Sequence, residues 1–199
     1  MNRVYSTTLA LCSTLLLSSV SHASPTSQVH AIDVATDSLV WFLDGYSAIV
    51  GYQHSDYPNL RLHAEVFGLT FPDSFIDLNE VNANEGWERV IDQAFMLALD
   101  HYPFEQLPGL HYGAGFNIQS STLSRKGLIG STTLQTFELL LSLGFRLKPF
   151  EAWDLFLTPY AAIGIPFETN TPESLGGEVF EEPVIQWVGS VRIGWTFQL

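Results

Sequence analysis

The stretch V-R-I-G-W-T-F-Q-L, residues 191–199, alternates large apolar side chains with smaller or polar ones without a break. Successive side chains of a β-strand point to opposite faces, so this stretch predicts a strand with one apolar and one mixed face. Arg192 and Thr196 lie on the mixed face. The apolar face carries Val191, Ile193, Trp195, Phe197 and Leu199. Such a strand needs surroundings that accept large apolar groups on one side and an arginine on the other.

The same two-residue period recurs in the stretches 60–66, 109–119, 132–148 and 155–165. Together with their neighbours they predict strands near 28–36, 38–53, 60–71, 89–102, 109–120, 132–148, 153–166 and 184–199. Two segments leave an alternative open. Residues 33–43 could instead form a short helix that Asp44-Gly45 ends, although this dipeptide is also a hairpin signal. Residues 87–99 fit an amphipathic helix too, but Phe95, Leu97 and Leu99 alternate and favour a strand.

The segments between these strands differ in length. Residues 102–105 and 148–151 are short breaks that share the triplet Pro-Phe-Glu. Residues 72–88, 121–131 and 167–183 are longer and polar, and the first and last are acidic. Short turns at one end and long loops at the other are typical of an up-and-down meander. The sequence therefore predicts an all-β fold, an antiparallel up-and-down barrel of about eight strands with a possible short N-terminal helix.

Composition and the N-terminal segment narrow the class of protein further. The 199 residues include 8 basic and 21 acidic side chains, and this negative charge argues against nucleic acid as a partner. Residues 1–23 combine Arg3, an apolar run over 9–20 and the small residues Ser21 and Ala23, which predicts a secretory signal peptide. Residues 24–199 then form a single domain without cysteine, which excludes disulfides and thiolate metal sites. No cofactor or metal motif is present.

The two faces of the strands distinguish a membrane barrel from a soluble one. The second face carries Gly, Ser, Thr, Asn, Gln and Tyr with isolated charges, which suits a crowded lumen more than a solvated exterior. The apolar face carries almost no charge over many strands, as a face in contact with lipid requires. In hydrocarbon a closed barrel leaves no unpaired strand edge. We favour a transmembrane barrel, and the alternative is a soluble periplasmic β-barrel that binds a lipid-like ligand.

The C-terminal stretch 191–199 and the strand-turn layout resemble the small outer-membrane β-barrel proteins of Gram-negative bacteria, of the OmpA/OmpX-like transmembrane type. The resemblance implies a location in the cell outer membrane after export, with the apolar residues of 191–199 facing lipid. It also implies outer-membrane lipid and lipopolysaccharide as partners, recognition of the C-terminal strand by the barrel-assembly machinery, and a monomer. The long acidic loops would then face the outside of the cell.

The mixed faces predict a polar network in the lumen. An eight-stranded barrel has just enough room inside for side chains, and charges there must pair because isolated buried charges are costly. We expect a structural plug, or a gate in a narrow passive channel, in which case Arg192→Ala would raise conductance. The predicted lumen residues are Arg61, His63, Glu65, His111, Glu138, Arg146 and Arg192.

No catalytic residue is predicted. Some small barrels modify lipid A, but such an enzyme needs a nucleophile or base near the outer rim. The histidines of 24–199 fall in the periplasmic half of the predicted topology, and this part of the chain holds neither a His-x-Ser pair nor a Gly-x-Ser-x-Gly motif. These histidines are His30, His54, His63, His101 and His111.

Overall fold

The computed structural model describes residues 30–77, 80, 82–150, 153–170 and 174–199, and these residues form eight strands and two short helices. The signal peptide predicted over 1–23 lies outside the described residues. The elements are β1 (Ala31–Asp37), α1 (Ser38–Phe42), β2 (Tyr46–Gln53), β3 (Leu60–Phe71), α2 (Asp73–Ile76), β4 (Trp87–His101), β5 (Leu110–Arg125), β6 (Thr132–Phe145), β7 (Leu155–Thr169) and β8 (Gln186–Gln198).

The strands close into a barrel in which each strand is antiparallel to the next and β8 pairs with β1. The predicted all-β, up-and-down barrel of eight strands with a short N-terminal helix is confirmed. Following the pairing from Glu65 through β4, β5 and β6 leads to Pro166 on β7. The opposite route, through β2, β1 and β8, leads to Phe156. This stagger along β7 is the displacement that tilted strands need in order to close a barrel.

The two ends of the barrel differ in their connections. Residues 54–59, 102–109 and 146–154 connect strands at the end where β1 begins and β8 ends, and we call this end the base. Residues 38–45, 72–86, 126–131 and 170–185 connect strands at the opposite end, the rim. The predicted long loops 72–88 and 167–183 belong to the rim. The third, 121–131, is shorter than predicted, because β5 continues to Arg125 and only 126–131 connect it to β6.

The strand predicted over 38–53 is wrong at its beginning, because residues 38–42 form α1. Asp37 is the reason: it ends β1 in extended geometry, and its side chain accepts a hydrogen bond from the Leu39 amide at 3.0 Å, which caps the helix. The alternative helix over 33–43 is also too long, since residues 31–37 are strand. The preference for a strand over 87–99 is confirmed, because β4 spans this segment without a helical turn.

β1 is short, and this leaves a gap in the wall that we call the notch. β1 pairs with β2 only over residues 31–35, and its last residue, Asp37, is opposite Arg192 of β8. Residues 186–191 of β8 therefore extend toward the rim beyond the last β1 pair. α1 lies at this position and contacts β2, β3 and β8. The notch is the segment of wall in which a five-residue helix, rather than a strand, lies beside β8.

Two clusters of buried apolar residues lie inside the barrel. The rim cluster closes the interior under the loops and consists of Ile76, Trp87, Leu123, Leu134 and Phe180. A smaller group near the base consists of Ala35, Ile49 and Phe156. Between these clusters the inward-facing side chains include both polar residues, such as Glu65 and Asn117, and apolar ones, such as Ile91 and Met96. No helix in the described part of the chain is long and apolar enough to cross a membrane.

Candidate functional site in the barrel interior

The outward faces of the strands carry a belt of exposed apolar side chains. On β6, Leu139, Leu141 and Leu143 are exposed, while Glu138, which precedes them, is only 4% exposed. Of the predicted apolar face of β8, Trp195, Phe197 and Leu199 are exposed, and Val191 and Ile193 are half-buried. Exposed belt residues on the other strands include Val34, Val50, Tyr52, Leu62, Phe95, Leu99, Tyr112, Phe116 and Ile118.

At the base, two predicted lumen arginines share one carboxylate. Asp33 accepts hydrogen bonds from Arg61 and from both terminal nitrogens of Arg146, the latter at 3.0 and 2.9 Å. The Thr196 hydroxyl donates to the same carboxylate at 2.9 Å and accepts from Arg146 at 2.8 Å. The Arg146 guanidinium also lies 3.5 Å from the centre of the Phe156 ring. We call Asp33, Arg61, Arg146 and Thr196 the base cluster.

The two predicted lumen histidines lie beside one aspartate. His63 Nδ1 is 3.4 Å and His111 Nε2 is 3.9 Å from Oδ2 of Asp100, and all three side chains are buried. His111 Nδ1 lies 3.2 Å from the carbonyl oxygen of Gly109. Asp100 is therefore the shared carboxylate partner of the two buried histidines, as Asp33 is of the two arginines. Such a partner lowers the cost of burying polar groups inside the barrel.

A third group lies at mid-height, where β1 ends. Arg192 is 3.9 Å from Glu65 and 4.4 Å from the centre of the Tyr160 ring. Tyr160 donates a hydrogen bond to Asp37 at 2.6 Å, and Ser190 donates to the other oxygen of the same carboxylate. Asp37 therefore both caps α1 and anchors the start of the notch to β7 and β8.

Glu138, the remaining predicted lumen residue, lies apart from these groups. Its carboxylate accepts hydrogen bonds from the side-chain amides of Asn117 at 2.9 Å and Gln119 at 3.2 Å. Nearer the rim, Arg89 donates to Glu182 at 3.0 Å. Among the described residues, Glu138 has no ion pair within 4 Å of its carboxylate.

In the described part of the chain, the predicted lumen residues include most of the buried arginines of the interior but fewer than half of its buried carboxylates. Asp33, Asp37 and Asp100 are buried but were not among the predicted lumen residues, and Arg89 was also missed. The sequence holds a signal for two of them, because Ala31, Asp33, Ala35 and Asp37 alternate with Ile32, Val34 and Thr36 along β1.

An interior cavity of about 120 Å³ lies between the ion pairs and the rim cluster. Glu65 and Arg192 line it on the base side, Phe71 and Ile91 on the rim side, and Asn117 on the wall. A smaller space of about 20 Å³ remains among the side chains of the base cluster and Asp100. The described residues contain no group of three His, Cys, Asp or Glu side chains that could hold a metal ion.

The two basic residues where β5 meets the connection 126–131 pair with acidic neighbours. Arg125 pairs with Glu85, and its guanidinium lies 5.7 Å from the centre of the Trp87 ring. Lys126 donates to Asp73 at 2.5 Å, and this hydrogen bond raises the pKa of the lysine above its usual value. Both contacts connect the loop 72–86 to the end of β5.

Comparison with known proteins gives similarity at the level of structure. No protein-family model matches the chain, and no curated protein matches its sequence. The barrel is similar to a major outer membrane protein from Thermus thermophilus, with 18% identity, a TM-score of 0.49, and coverage of 84% of this chain and 99% of that one. It is also similar to the N-terminal β-barrel domain of Pseudomonas aeruginosa OprF, with 11% identity, a TM-score of 0.46, and coverage of 86% of this chain and 98% of that one. Neisserial surface protein A, NspA, is similar with 12% identity, a TM-score of 0.43, and coverage of 87% of this chain and 98% of that one. At these identities the likeness says nothing about function.

Proposed function

We propose that this chain is an outer-membrane β-barrel protein with a closed interior and a structural role, rather than an open channel. The observation that carries the proposal is the distribution of polarity across the wall. Leu139, Leu141 and Leu143 face outward while Glu138 faces inward, and the same inversion holds for Trp195 and Phe197 against Arg192. A water-soluble barrel buries its apolar face, whereas a barrel in lipid exposes it.

The closed sheet supports the same conclusion. In hydrocarbon, each unsatisfied backbone group costs several kcal/mol, so only helices and closed barrels cross it. Here every strand pairs with a neighbour on both sides. Residues 186–191 of β8, at the notch, have no β1 partner, and there α1 contacts β8 instead. The proposed partners are outer-membrane lipid and lipopolysaccharide around the wall, and the barrel-assembly machinery acting on β8 during insertion of a monomer.

Both ends of the interior argue against an open channel. At the base, Asp33, Arg61 and Arg146 cross the lumen from β1, from β3 and from the end of β6, and meet at one carboxylate. At the rim, Trp87 packs against Phe180 with ring centres 5.6 Å apart, beneath the connection 170–185. These contacts place the 120 Å³ cavity between two packed layers that block passage along the barrel axis, which favours the plug over the gate.

The test is fractionation of cells that express the full-length chain, followed by electrophoresis of heated and unheated samples. We expect recovery in the outer membrane and a band whose migration changes on heating, because a folded barrel resists detergent until it is heated. Recovery in the osmotic-shock fluid would contradict the membrane location and favour the soluble ligand-binding barrel.

The closed interior has its own measurement, which is conductance of the purified protein in planar bilayers. We expect no sustained current from the wild-type protein or from Arg192→Ala, since the base cluster does not include Arg192. Stepwise current through Arg192→Ala alone would identify Arg192 as a gate and overturn the structural role.

A further inference from the structure

Of the three acidic side chains that line the 120 Å³ cavity, only Glu65 lies within ion-pair distance of a described cation. Asp37 is bound by Tyr160 and Ser190, and Glu65 is bound by Ser47 at 2.7 Å and lies 3.9 Å from Arg192. Glu138 accepts only from two neutral amides, and no described cation lies within ion-pair distance of it. Both Glu138 oxygens accept a hydrogen bond and neither is shown donating one.

A second, independent feature of the same wall points to a missing donor. Asn117 is 3% exposed, and its amide nitrogen donates to Glu138, but its Oδ1 has no hydrogen-bond partner among the described residues. A buried acceptor without a donor is costly, and such a group in a native interior calls for an explanation. Asn117 Oδ1 and the Glu138 carboxylate together offer acceptors to one group of several N–H donors.

Most of the remaining cavity surface is apolar, although polar residues such as His63, Ser142 and Tyr160 also line it, and this limits what can carry those donors. Phe67, Ile91, Met96 and Leu140 line it together with Leu39 of α1. A cavity of about 150 Å³ lined by apolar side chains accepts benzene, so 120 Å³ suits a body of roughly six carbons. An anion would be repelled, because the lining contains Asp37, Glu65 and Glu138 against the single arginine Arg192.

We propose that this cavity is a binding site for a primary ammonium ion with a compact apolar body of roughly six carbons. The ammonium group donates to Glu138 and to Asn117 Oδ1, and the apolar body lies against Phe67, Ile91 and Leu140. Three N–H donors on a compact point charge match these acceptors, as they do for a lysine side chain. The ammonium group of the ligand is then the positively charged partner of the Glu138 carboxylate.

The notch provides the entrance. Leu39 and Val40 of α1 and Val188 and Ser190 of β8 line the cavity on this side, which faces β5 across the barrel. α1 is held to β8 by the Leu39 amide, which donates to Ser190 at 3.2 Å as well as to its Asp37 cap. A molecule that passes between α1 and β8 meets the cavity without crossing the base cluster or the rim cluster.

The experiment compares two ligands of nearly the same shape on the purified full-length barrel in detergent. Benzylammonium and benzyl alcohol are titrated by calorimetry, with empty micelles as the blank. We expect benzylammonium to bind saturably and at least tenfold more tightly than benzyl alcohol. Equal affinities would reduce the site to an unspecific apolar cavity, and the absence of saturable binding would overturn the proposal outright.

A pair of variants locates the charge. Glu138→Gln is expected to weaken benzylammonium binding at least tenfold and to change benzyl alcohol binding less than twofold. Glu105→Gln removes the same charge from the exposed connection 102–109 and should change neither. Unchanged benzylammonium binding by Glu138→Gln would contradict the site. Misfolding of Glu138→Gln would show as loss of heat-modifiable migration. In that case the comparison of benzylammonium with benzyl alcohol on the wild-type barrel still tests whether the site binds an ammonium group. Heat-modifiable migration is independent of the ligand, so failure here leaves the membrane proposal intact.

Discussion

At the scale of the residue, the interior depends on single carboxylates that serve several donors. Asp33 is bound by Arg61, Arg146 and Thr196, and these four side chains come from β1, β3, β8 and the end of β6. Desolvating a guanidinium is costly unless a carboxylate compensates it, so the two arginines depend on one partner. The cost of losing that partner should therefore exceed the value of an ordinary ion pair.

Asp33→Asn keeps the shape of the side chain and removes its charge. We expect it to lower the free energy of unfolding by about 3–5 kcal/mol, because it leaves two buried arginines without their carboxylate. The measurement is urea unfolding of the purified barrel in detergent. Asp56→Asn makes the same change at an exposed residue that lies 3.9 Å from His54, and it should shift stability by less than about 0.5 kcal/mol. Equal effects of the two substitutions would show that the base cluster does not stabilise the barrel.

The residues of this cluster also show what the sequence could reveal. Arg61 and Arg146 stand out as charges inside apolar alternating stretches, so their inward position follows from period two. Asp33 lies between Ile32 and Val34, so period two also indicates its inward position, but the strand has only seven residues and the lumen prediction passed over it. Which carboxylate binds which arginine depends on the pairing of β1 with β8 and on the closure of the barrel, and no local pattern encodes that.

At the scale of the element, α1 and the turn after it are the least regular part of the wall. Asp44 adopts a left-handed conformation with φ of 52°, and the chain then passes close to β3. A Cβ on Gly45 would overlap the carbonyl oxygen of Gly68 and would lie 2.8 Å from Cγ1 of Val40. The sequence marked Asp44-Gly45 as a turn, but glycine is needed here for close approach to a neighbouring strand, which only the packed structure reveals.

Gly45→Ala is expected to destabilise the barrel by about 1–3 kcal/mol, because the added methyl group forces α1 and β3 apart. Thermal unfolding followed by the loss of β-sheet circular dichroism measures the effect. Gly189→Ala is the matched control, since a Cβ there meets only the Tyr160 carbonyl oxygen at 3.7 Å. A loss at position 189 as large as that at position 45 would argue against the close packing of α1 on β3.

At the scale of the whole molecule, period two and the turn spacing were enough to predict a closed barrel of eight strands. The notch and the cavity were not predictable in the same way. They arise because β1 stops at Asp37 while β8 continues to Gln186, and this difference in strand length is a property of the pairing. Ser121 and Thr122 belong to the predicted loop 121–131, yet both lie in β5, and Ser121 is fully buried beneath the rim connections.

Because the apolar side chains of the strands face outward, we expect the cost of an outward-facing arginine to depend on its position along the barrel wall. Leu141 lies in β6 between Leu139 and Leu143 and is 41% exposed on the outward face. Leu141→Arg should cost about 2–4 kcal/mol if this position lies near the centre of a bilayer, because the guanidinium must leave water. Leu107→Arg places the same charge on an exposed leucine of the connection 102–109 at the base, and there the cost should be about 0–1 kcal/mol.

Urea unfolding of both variants, refolded into phospholipid vesicles, gives the difference between the two positions directly. The depth dependence is specific to lipid: on the outer face of a water-soluble barrel, an arginine at Leu141 would be solvated and would cost no more than one at Leu107. Matching stabilities for the two variants would thus place the outward face of β6 in water. A loss confined to Leu141→Arg would place it in hydrocarbon, and with it the neighbouring Leu139 and Leu143.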